Sequence, residues 1–289
     1  MSQAETGPKW FREGLYDYWQ QSFLISKELF RSSGDLQDIA LFETPGFGRV
    51  LTLDGVIQLT TGDEFIYHEM LAHVPVYAHG AVQSVCVVGG GDGGMLRELL
   101  KHRSITRAVL VEIDGQVVEF CRQHLPTVSA GAFDDPRTQI VIADGVQYMH
   151  HTQDKFDLIV IDSTDPSGPG EVLFTESFYQ DCAKALNPGG ILVNQNGVPF
   201  LQAEEIPDTF NRRRPYFADV GFYLAAVPTY VGGFMALGWA SFDPKHRTTS
   251  PQTIAARFAA APVATRYYTP ELHHAAFCLP AYIRDLIPA

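Results

Sequence analysis

Residues 85–94 read V-C-V-V-G-G-G-D-G-G, and few chain geometries accommodate them. The β-branched apolar run fits a buried strand. Gly89, Gly91 and Gly94 then follow with the spacing G-x-G-x-x-G. Glycines placed this way allow a tight turn, close approach of backbone to a ligand, and a helix whose N-terminus faces that ligand. Glu112 closes the next apolar run, 108–111, where an acid reaches the hydroxyl pair of a ribose. Strand, glycine turn, helix and acid in this order predict a site for an adenosine-containing ligand.

The remainder of the chain alternates in the same way. Strands are expected near 84–88, 108–112, 139–143, 158–162 and 191–195, and helices near 94–102, 116–124 and 176–186. Such alternation builds βαβ units and a mostly parallel sheet. Asn187-Pro188-Gly189-Gly190 reads as the turn into the fifth of these strands. Two further strands, 220–227 and 233–241, lie so close in sequence that antiparallel pairing is expected. Ahead of residue 63 the chain reads as β-rich: 37–43, then 49–53 and 56–60 flanking Asp54-Gly55, a strong two-residue hairpin signal. Asp63 is placed to cap a helix that Pro75 should stop. The fold expected is α/β: a Rossmann-like, class I methyltransferase-type, mostly parallel sheet over residues 63–289, with a small N-terminal β domain over 1–62.

Composition narrows the partners. With 46% hydrophobic residues in 289, the chain can bury a large core. No apolar run is long enough to span a bilayer and residues 1–10 lack a signal-peptide pattern, so a cytoplasmic protein is expected. The net charge of −12 repels nucleic acid and anionic membranes and attracts cations. Cys86, Cys121, Cys182 and Cys278 form no C-x-x-C, and neither a metal nor a disulfide is expected.

Four acids fall at the predicted carboxyl ends of strands, where open α/β sheets bind ligands: Asp92, Glu112, Asp144 (followed by Gly145) and Asp162, with Asp165 close behind. Clustered carboxylates repel one another unless a cation neutralises them. No lysine or arginine lies in these turns. Asp92 would face a dinucleotide pyrophosphate with like charge, which disfavours a nicotinamide-dependent oxidoreductase. A sulfonium nucleoside suits the site better: Glu112 for the ribose, Asp144 for the adenine amino group, the other acids for a positively charged chain.

These residues closely resemble one family. The segments Gln37-Asp38-Ile39, Leu53-Asp54-Gly55-Val56-Ile57-Gln58, Asp63-Glu64-Phe65-Ile66-Tyr67-His68-Glu69-Met70, the glycine turn, Val111-Glu112-Ile113-Asp114, Asp162-Ser163-Thr164-Asp165-Pro166 and Pro228-Thr229-Tyr230 are similar, in order, to spermidine synthases, the putrescine aminopropyltransferases. The Tyr-x-Gly-Gly at 230–233 resembles the bacterial branch. The resemblance implies a homodimer or homotetramer that uses decarboxylated S-adenosylmethionine as co-substrate, putrescine as acceptor and no cofactor. The products would be spermidine and 5′-methylthioadenosine.

By matching motif, Gln37 and Gln58 would contact the donor, Asp92 its ammonium, Glu112 the ribose and Asp144 the adenine. Tyr67, His68, Asp162, Asp165 and Tyr230 would surround the acceptor, although some relatives carry Gln in place of His68. Residues 163–173 correspond to a gatekeeping loop.

The chemistry demands a base, because the attacking amine must be neutral. Asp162 is assigned that role, with Tyr67 and Tyr230 orienting the nitrogen. A putrescine N-methyltransferase is the nearest alternative, and a non-catalytic polyamine-binding protein a more distant one. Trp10 and Tyr18 read as packing more than as channel walls. His150-His151 and His273-His274 read as exposed, and Arg212-Arg213-Arg214 as a solvated basic face.

Overall fold

The computed structural model describes residues 7–33, 37–164 and 168–288. The chain divides into two units, Met1–Phe65 and Ile66–Ala289. In the first, β1 (Trp10–Arg12) and β2 (Ser22–Leu24) pair antiparallel. The strands β3 (Lys27–Ser33), β4 (Asp38–Thr44), β5 (Gly48–Leu53) and β6 (Val56–Thr60) form an antiparallel sheet in chain order.

The Asp54-Gly55 hairpin closes as its residues demand, with φ of 51° and 76°, the paired positive values of a type I′ turn. Phe23, Phe42, Val50 and Ile57 make this unit's core. β1, β2 and β3 are additions to the sequence reading. β3 escaped it because the strand is partly exposed along its length and slips register between Glu28 and Phe30, which blurs the period-two pattern.

The helix α1 (Glu64–His79) opens just ahead of the division between the units. The second unit continues with β7 (Ser84–Gly89), α2 (Gly94–Leu100), β8 (Arg107–Glu112), α3 (Gly115–His124), α4 (Pro126–Ser129), β9 (Thr138–Ile142), α5 (Gly145–His151), β10 (Phe156–Asp162), α6 (Glu176–Ala185) and β11 (Leu186–Gln195). It ends with α7 (Glu205–Arg213), β12 (Asp219–Ala225), β13 (Met235–Ser241), α8 (Pro251–Ala260), α9 (Pro270–Ala276) and α10 (Ala281–Arg284).

Its sheet runs β12-β13-β11-β10-β7-β8-β9. Numbered within the sheet alone, this order is 6-7-5-4-1-2-3, with strands 1 to 6 running in one direction and strand 7 antiparallel between 5 and 6. That hairpin end is the methyltransferase-type arrangement. The strand order reverses between β7 and β10, which opens a crevice at their carboxyl ends. Val85, Val87, Leu158 and Val160 are completely buried, as strands covered on both faces must be. Among the described residues, no helix is long and apolar enough to cross a membrane.

Two local expectations are corrected. Pro75 does not stop α1, which continues to His79. A prolyl ring cannot supply the N–H that would reach the Leu71 carbonyl. Tertiary contacts carry the helix past it: Leu71, Val74 and Val76 are buried, and the Tyr223 hydroxyl donates to the neighbouring Met70 carbonyl at 3.2 Å. Arg257 then caps the end, its Nη1 donating to the carbonyls of Tyr77 and Ala78 at 2.6 Å each. The Asn187–Gly190 turn lies inside β11 rather than before it. Leu186 pairs with Phe156 and Ile191 with Leu158, so the intervening residues loop out of the ladder around Gly189, whose φ is 79°.

One buried acid of α1 ties down a distant segment. Glu69 is 1% exposed. Its carboxylate accepts the backbone N–H groups of Arg266 (2.7 Å), Tyr267 (2.8 Å) and Tyr268 (2.8 Å). Glu69→Ala orphans three donors, each costing about 1–3 kcal/mol when buried. Urea unfolding should show a loss of roughly 3 kcal/mol or more, with Glu69→Gln losing less because it retains one acceptor oxygen.

Candidate active site

The last residue of β10, Asp162, stands in register with Gly89, the last of β7. A side chain at Gly89 would run into the Asp162 carbonyl, and its φ of 82° is one that glycine adopts freely. At Gly91 a Cβ would lie 2.9 Å from Oε2 of Glu112. The glycine turn is therefore what lets two strand-ending carboxylates close around it.

Across the crevice, α1 presents Tyr67 and His68, both buried. The Tyr67 hydroxyl donates to Asp162 Oδ1 at 2.7 Å. The Tyr230 ring meets Tyr67 edge to face, centroids 5.9 Å apart. His68 Nε2 is 3.6 Å from Asp92 Oδ1, which also accepts the Gly94 N–H at 2.6 Å. The ligating atoms of His68, Asp92 and Asp162 all lie within 4.8 Å of one another, so one positively charged group can touch all three. Asp162 Oδ2 is buried and has no hydrogen-bond partner among the described residues.

Burial first, and then the Asp92 carboxylate, raise the Asp162 pKa well above the ordinary carboxylate range. Burial likewise pushes Glu112 up to about 7, even though its Oε1 accepts the Asp114 N–H at 3.0 Å. Among the described residues, no ion pair brings a lysine or arginine to Asp92, Asp162 or Glu112. Tyr67 is driven far above its usual range by burial and by the Asp162 charge, so its hydroxyl keeps its proton.

The other predicted residues divide. Asp144 ends the β9 turn and caps α5, accepting from the N–H groups of Val146 (2.7 Å) and Gln147 (3.2 Å). Its exposed carboxylate has free lone pairs for a ligand as well, and Gly145 is the first residue of α5. Gln37 directly precedes β4, and Gln58 lies in β6 with its Nε2 donating to the Val56 carbonyl at 3.3 Å. Trp10 lies in β1 and is half exposed, and Tyr18 is exposed. Asp165 lies outside the described residues, as do 166 and 167 of the proposed gate.

Sequence reasoning overlooked Gln195. Its Nε2 donates to the Thr164 carbonyl at 3.0 Å and its Oε1 accepts the Gly197 N–H at 2.9 Å, holding the first residues beyond Asp162. The signal available was a glutamine ending a buried strand. Two readings of charge are corrected. His273 is buried against Tyr268, whose hydroxyl it meets at 3.0 Å. Arg213 is fully buried, because α7 turns that one arginine of the run inward. His150 is exposed as expected and pairs with Asp181 at 2.8 Å.

Residues 64–250 match the profile of the spermine/spermidine synthase domain, and residues 9–61 that of the spermidine synthase tetramerisation domain. The chain belongs to the spermine/spermidine synthase family. It is 53% identical over 279 residues to a polyamine aminopropyltransferase of Ruegeria sp. (strain TM1040), covering 96% of this chain and 98% of the relative. It is 50% identical over 289 residues to the polyamine aminopropyltransferase of Sodalis glossinidius (strain morsitans), covering 100% and 99%. A spermidine synthase solved with the transition state analogue AdoDATO superposes with a TM-score of 0.90 at 37% identity, over 98% of this chain and 97% of that one. The spermidine synthase of Thermotoga maritima gives 0.87 at 35%, over 98% and 96%.

The raised acids of this family member have a consequence for stability. Folding holds protons on Glu112 and Asp162 that the unfolded chain releases. Their contribution is favourable at low pH and is lost as pH rises, from 4.5 through about 7 for Glu112 and from 3.8 through about 6 for Asp162. Ligand-free Asp162→Asn, which keeps an acceptor for Tyr67, should flatten part of that decline. Its Tm at pH 8 should exceed that of the natural protein by roughly 2–4 °C in a thermal scan.

Proposed function

We propose that the chain transfers the aminopropyl group of decarboxylated S-adenosylmethionine to putrescine, giving spermidine and 5′-methylthioadenosine. One observation carries this reading: two partly buried acids and a buried histidine converge on a single position for a positive charge, beside a glycine turn and a ribose-suited acid. Both substrates are cations, and each would supply charge that the crevice lacks.

In this reading Gln37 and Gln58 approach the donor, with Gly89 and Gly91 giving its backbone passage. Asp92 holds the aminopropyl ammonium, Glu112 the ribose, and Asp144 with Gly145 the adenine. Tyr67, His68, Asp162, Asp165 and Tyr230 take the acceptor. The putrescine nitrogen attacks the methylene bonded to sulfur. The C–S bond breaks and its electron pair stays on sulfur as a thioether. Asp162 accepts the proton lost by the nitrogen.

The raised pKa of Asp162 brings the base closer to an amine, and the donor's sulfonium brings the amine closer to the base. Tyr67 stays protonated and orients the carboxylate, so it does not compete as base. The remainder of the acceleration is in-line positioning of nitrogen, carbon and sulfur. The donor is consumed, so no separate cofactor enters this scheme. The reading includes a cytoplasmic location and a homodimer or homotetramer, and the match to a tetramerisation domain supports the assembly.

Incubation with putrescine and each donor, followed by mass analysis of products, tests the reading. Spermidine from the decarboxylated donor supports it, and N-methylputrescine from S-adenosylmethionine overturns it. Asp162→Asn should lower kcat by about 10²–10⁴-fold while donor affinity stays near that of the natural protein. At saturating putrescine, kcat should climb between pH 7 and 9, and a flat profile would mean that deprotonation does not limit turnover.

Donor choice should depend on Asp92. A second carboxylate, carried by intact S-adenosylmethionine, would stand about 4 Å from it and be repelled by roughly 4 kcal/mol at an effective dielectric near 20. Calorimetry should therefore find Asp92→Asn binding the decarboxylated donor more weakly and discriminating between the two donors less.

A further inference from the structure

Arg213, the last residue of α7, is 0% exposed. Its guanidinium stacks over the Tyr179 ring, with Cζ 4.3 Å from the centroid. Nε, Nη1 and Nη2 have no hydrogen-bond partner among the described residues. A guanidinium cannot shed its proton in a protein, so a full positive charge stands in the interior. Burying such a charge unpaired is strongly unfavourable, and the contact with Tyr179 offsets only part of that.

The neighbouring polar atoms are unpaired too. The Tyr179 hydroxyl, Thr209 Oγ1, Asn194 Oδ1 and Asn196 Nδ2 are all buried and make no well-aligned hydrogen bond among the described residues, with Arg213 and Thr209 both near enough to the Tyr179 hydroxyl to interact with it. Thr209 lies one turn before Arg213 on α7. Asn194 faces Gly238 across the β11–β13 ladder. A Cβ on Gly238 would lie 2.6 Å from Arg213 Nη1 and would collide with Asn194 Oδ1, so glycine keeps this space open. Asn194 also reaches Asn196, Nδ2 to Oδ1 at 3.5 Å.

The inventory is lopsided. The guanidinium nitrogens and Asn196 Nδ2 can only donate, the two hydroxyls can donate, and Asn194 Oδ1 is the one group that can only accept. A species that satisfies the donors of this set must accept several hydrogen bonds and carry negative charge. A water molecule accepts two, must place two hydrogens of its own, and leaves the charge uncompensated. We propose that Arg213, Tyr179, Thr209 and Asn196 form an internal binding site for a small monovalent anion, chloride or its halide equivalents. The anion neutralises the guanidinium and joins α6 and α7 to the residue just beyond β11. Gln195, between the two asparagines and directed to the opposite face of the strand, holds Thr164, so the anion braces the strand on which that contact depends.

Bromide replaces chloride in such sites and is visible by anomalous diffraction. A crystal of the full chain grown in bromide should show an anomalous peak at hydrogen-bonding distance from the guanidinium. In thermal unfolding at constant ionic strength, raising chloride from about 1 to about 100 mM against gluconate should raise Tm by roughly 2–4 °C. Arg213→Met, which keeps length without charge, should remove that dependence. If this variant does not fold, the natural protein's bromide map and chloride titration decide. A map with no peak beside Arg213, only water, overturns the assignment. A peak accompanied by a Tm indifferent to halide marks an adventitious ion only, and overturns it equally.

Discussion

Asp92, Asp162 and Glu112 meet in a crevice where no lysine or arginine among the described residues forms an ion pair with them, and the rest of the site is organised around that unbalanced charge. Desolvation and like-charge repulsion act together there to raise the pKa values of Asp162 and Glu112. An empty site of this kind stores an unfavourable electrostatic energy that a cationic ligand relieves. Binding and catalysis then draw on the same source. The charge that attracts a polyamine also makes Asp162 a better base for it.

Such an arrangement survives only on a rigid support. β7 and β10 supply it, as adjacent parallel strands whose apolar residues are completely buried. The glycine turn lets the acids come close, and α1 brings Tyr67 and His68 to them. That helix is held along its length, by Tyr223 on the Met70 carbonyl, by Glu69 gripping residues 266–268, and by Arg257 at its end. Each contact fixes the direction from which the tyrosine hydroxyl meets Asp162.

The interior contains a second ionic cluster that resolves its charge differently. Glu98 is buried, which by itself raises its pKa. Hydrogen bonds from His73 and Lys101 and the charge of Arg97 reverse this and take it down to about 2. His73 bridges Glu98 (3.0 Å) and His102 (2.9 Å), and burial lowers His102 to about 3. Every charge there has a partner from the chain itself. Arg213 stacks on Tyr179 but has no anionic partner among the described residues, and the contrast between the two clusters is what marks the arginine as incomplete.

Much of this was legible along the chain because it depends on neighbours in sequence. The strand-and-glycine segment 85–94, the alternation of elements, the Asp54-Gly55 hairpin and the acids that end strands are local patterns, governed by backbone sterics and hydrophobic period. The antiparallel pairing of β12 and β13 followed from their short connection in the same way.

What only tertiary structure decided involves residues far apart. Tyr67 and Asp162 are separated by 95 positions and meet at 2.7 Å. Glu69 reads as one more helix acid until residues 266–268 close over it. Pro75 ends a helix on propensity and does not here, because surrounding side chains replace what its ring removes. Arg213 and His273 read as solvated because charge and polarity predict exposure on average. Which face of a helix turns inward is set by the packing of α7 and α9 against partners that the linear chain does not name. Local preference is worth about a kilocalorie per residue, and the burial of a whole face outweighs it.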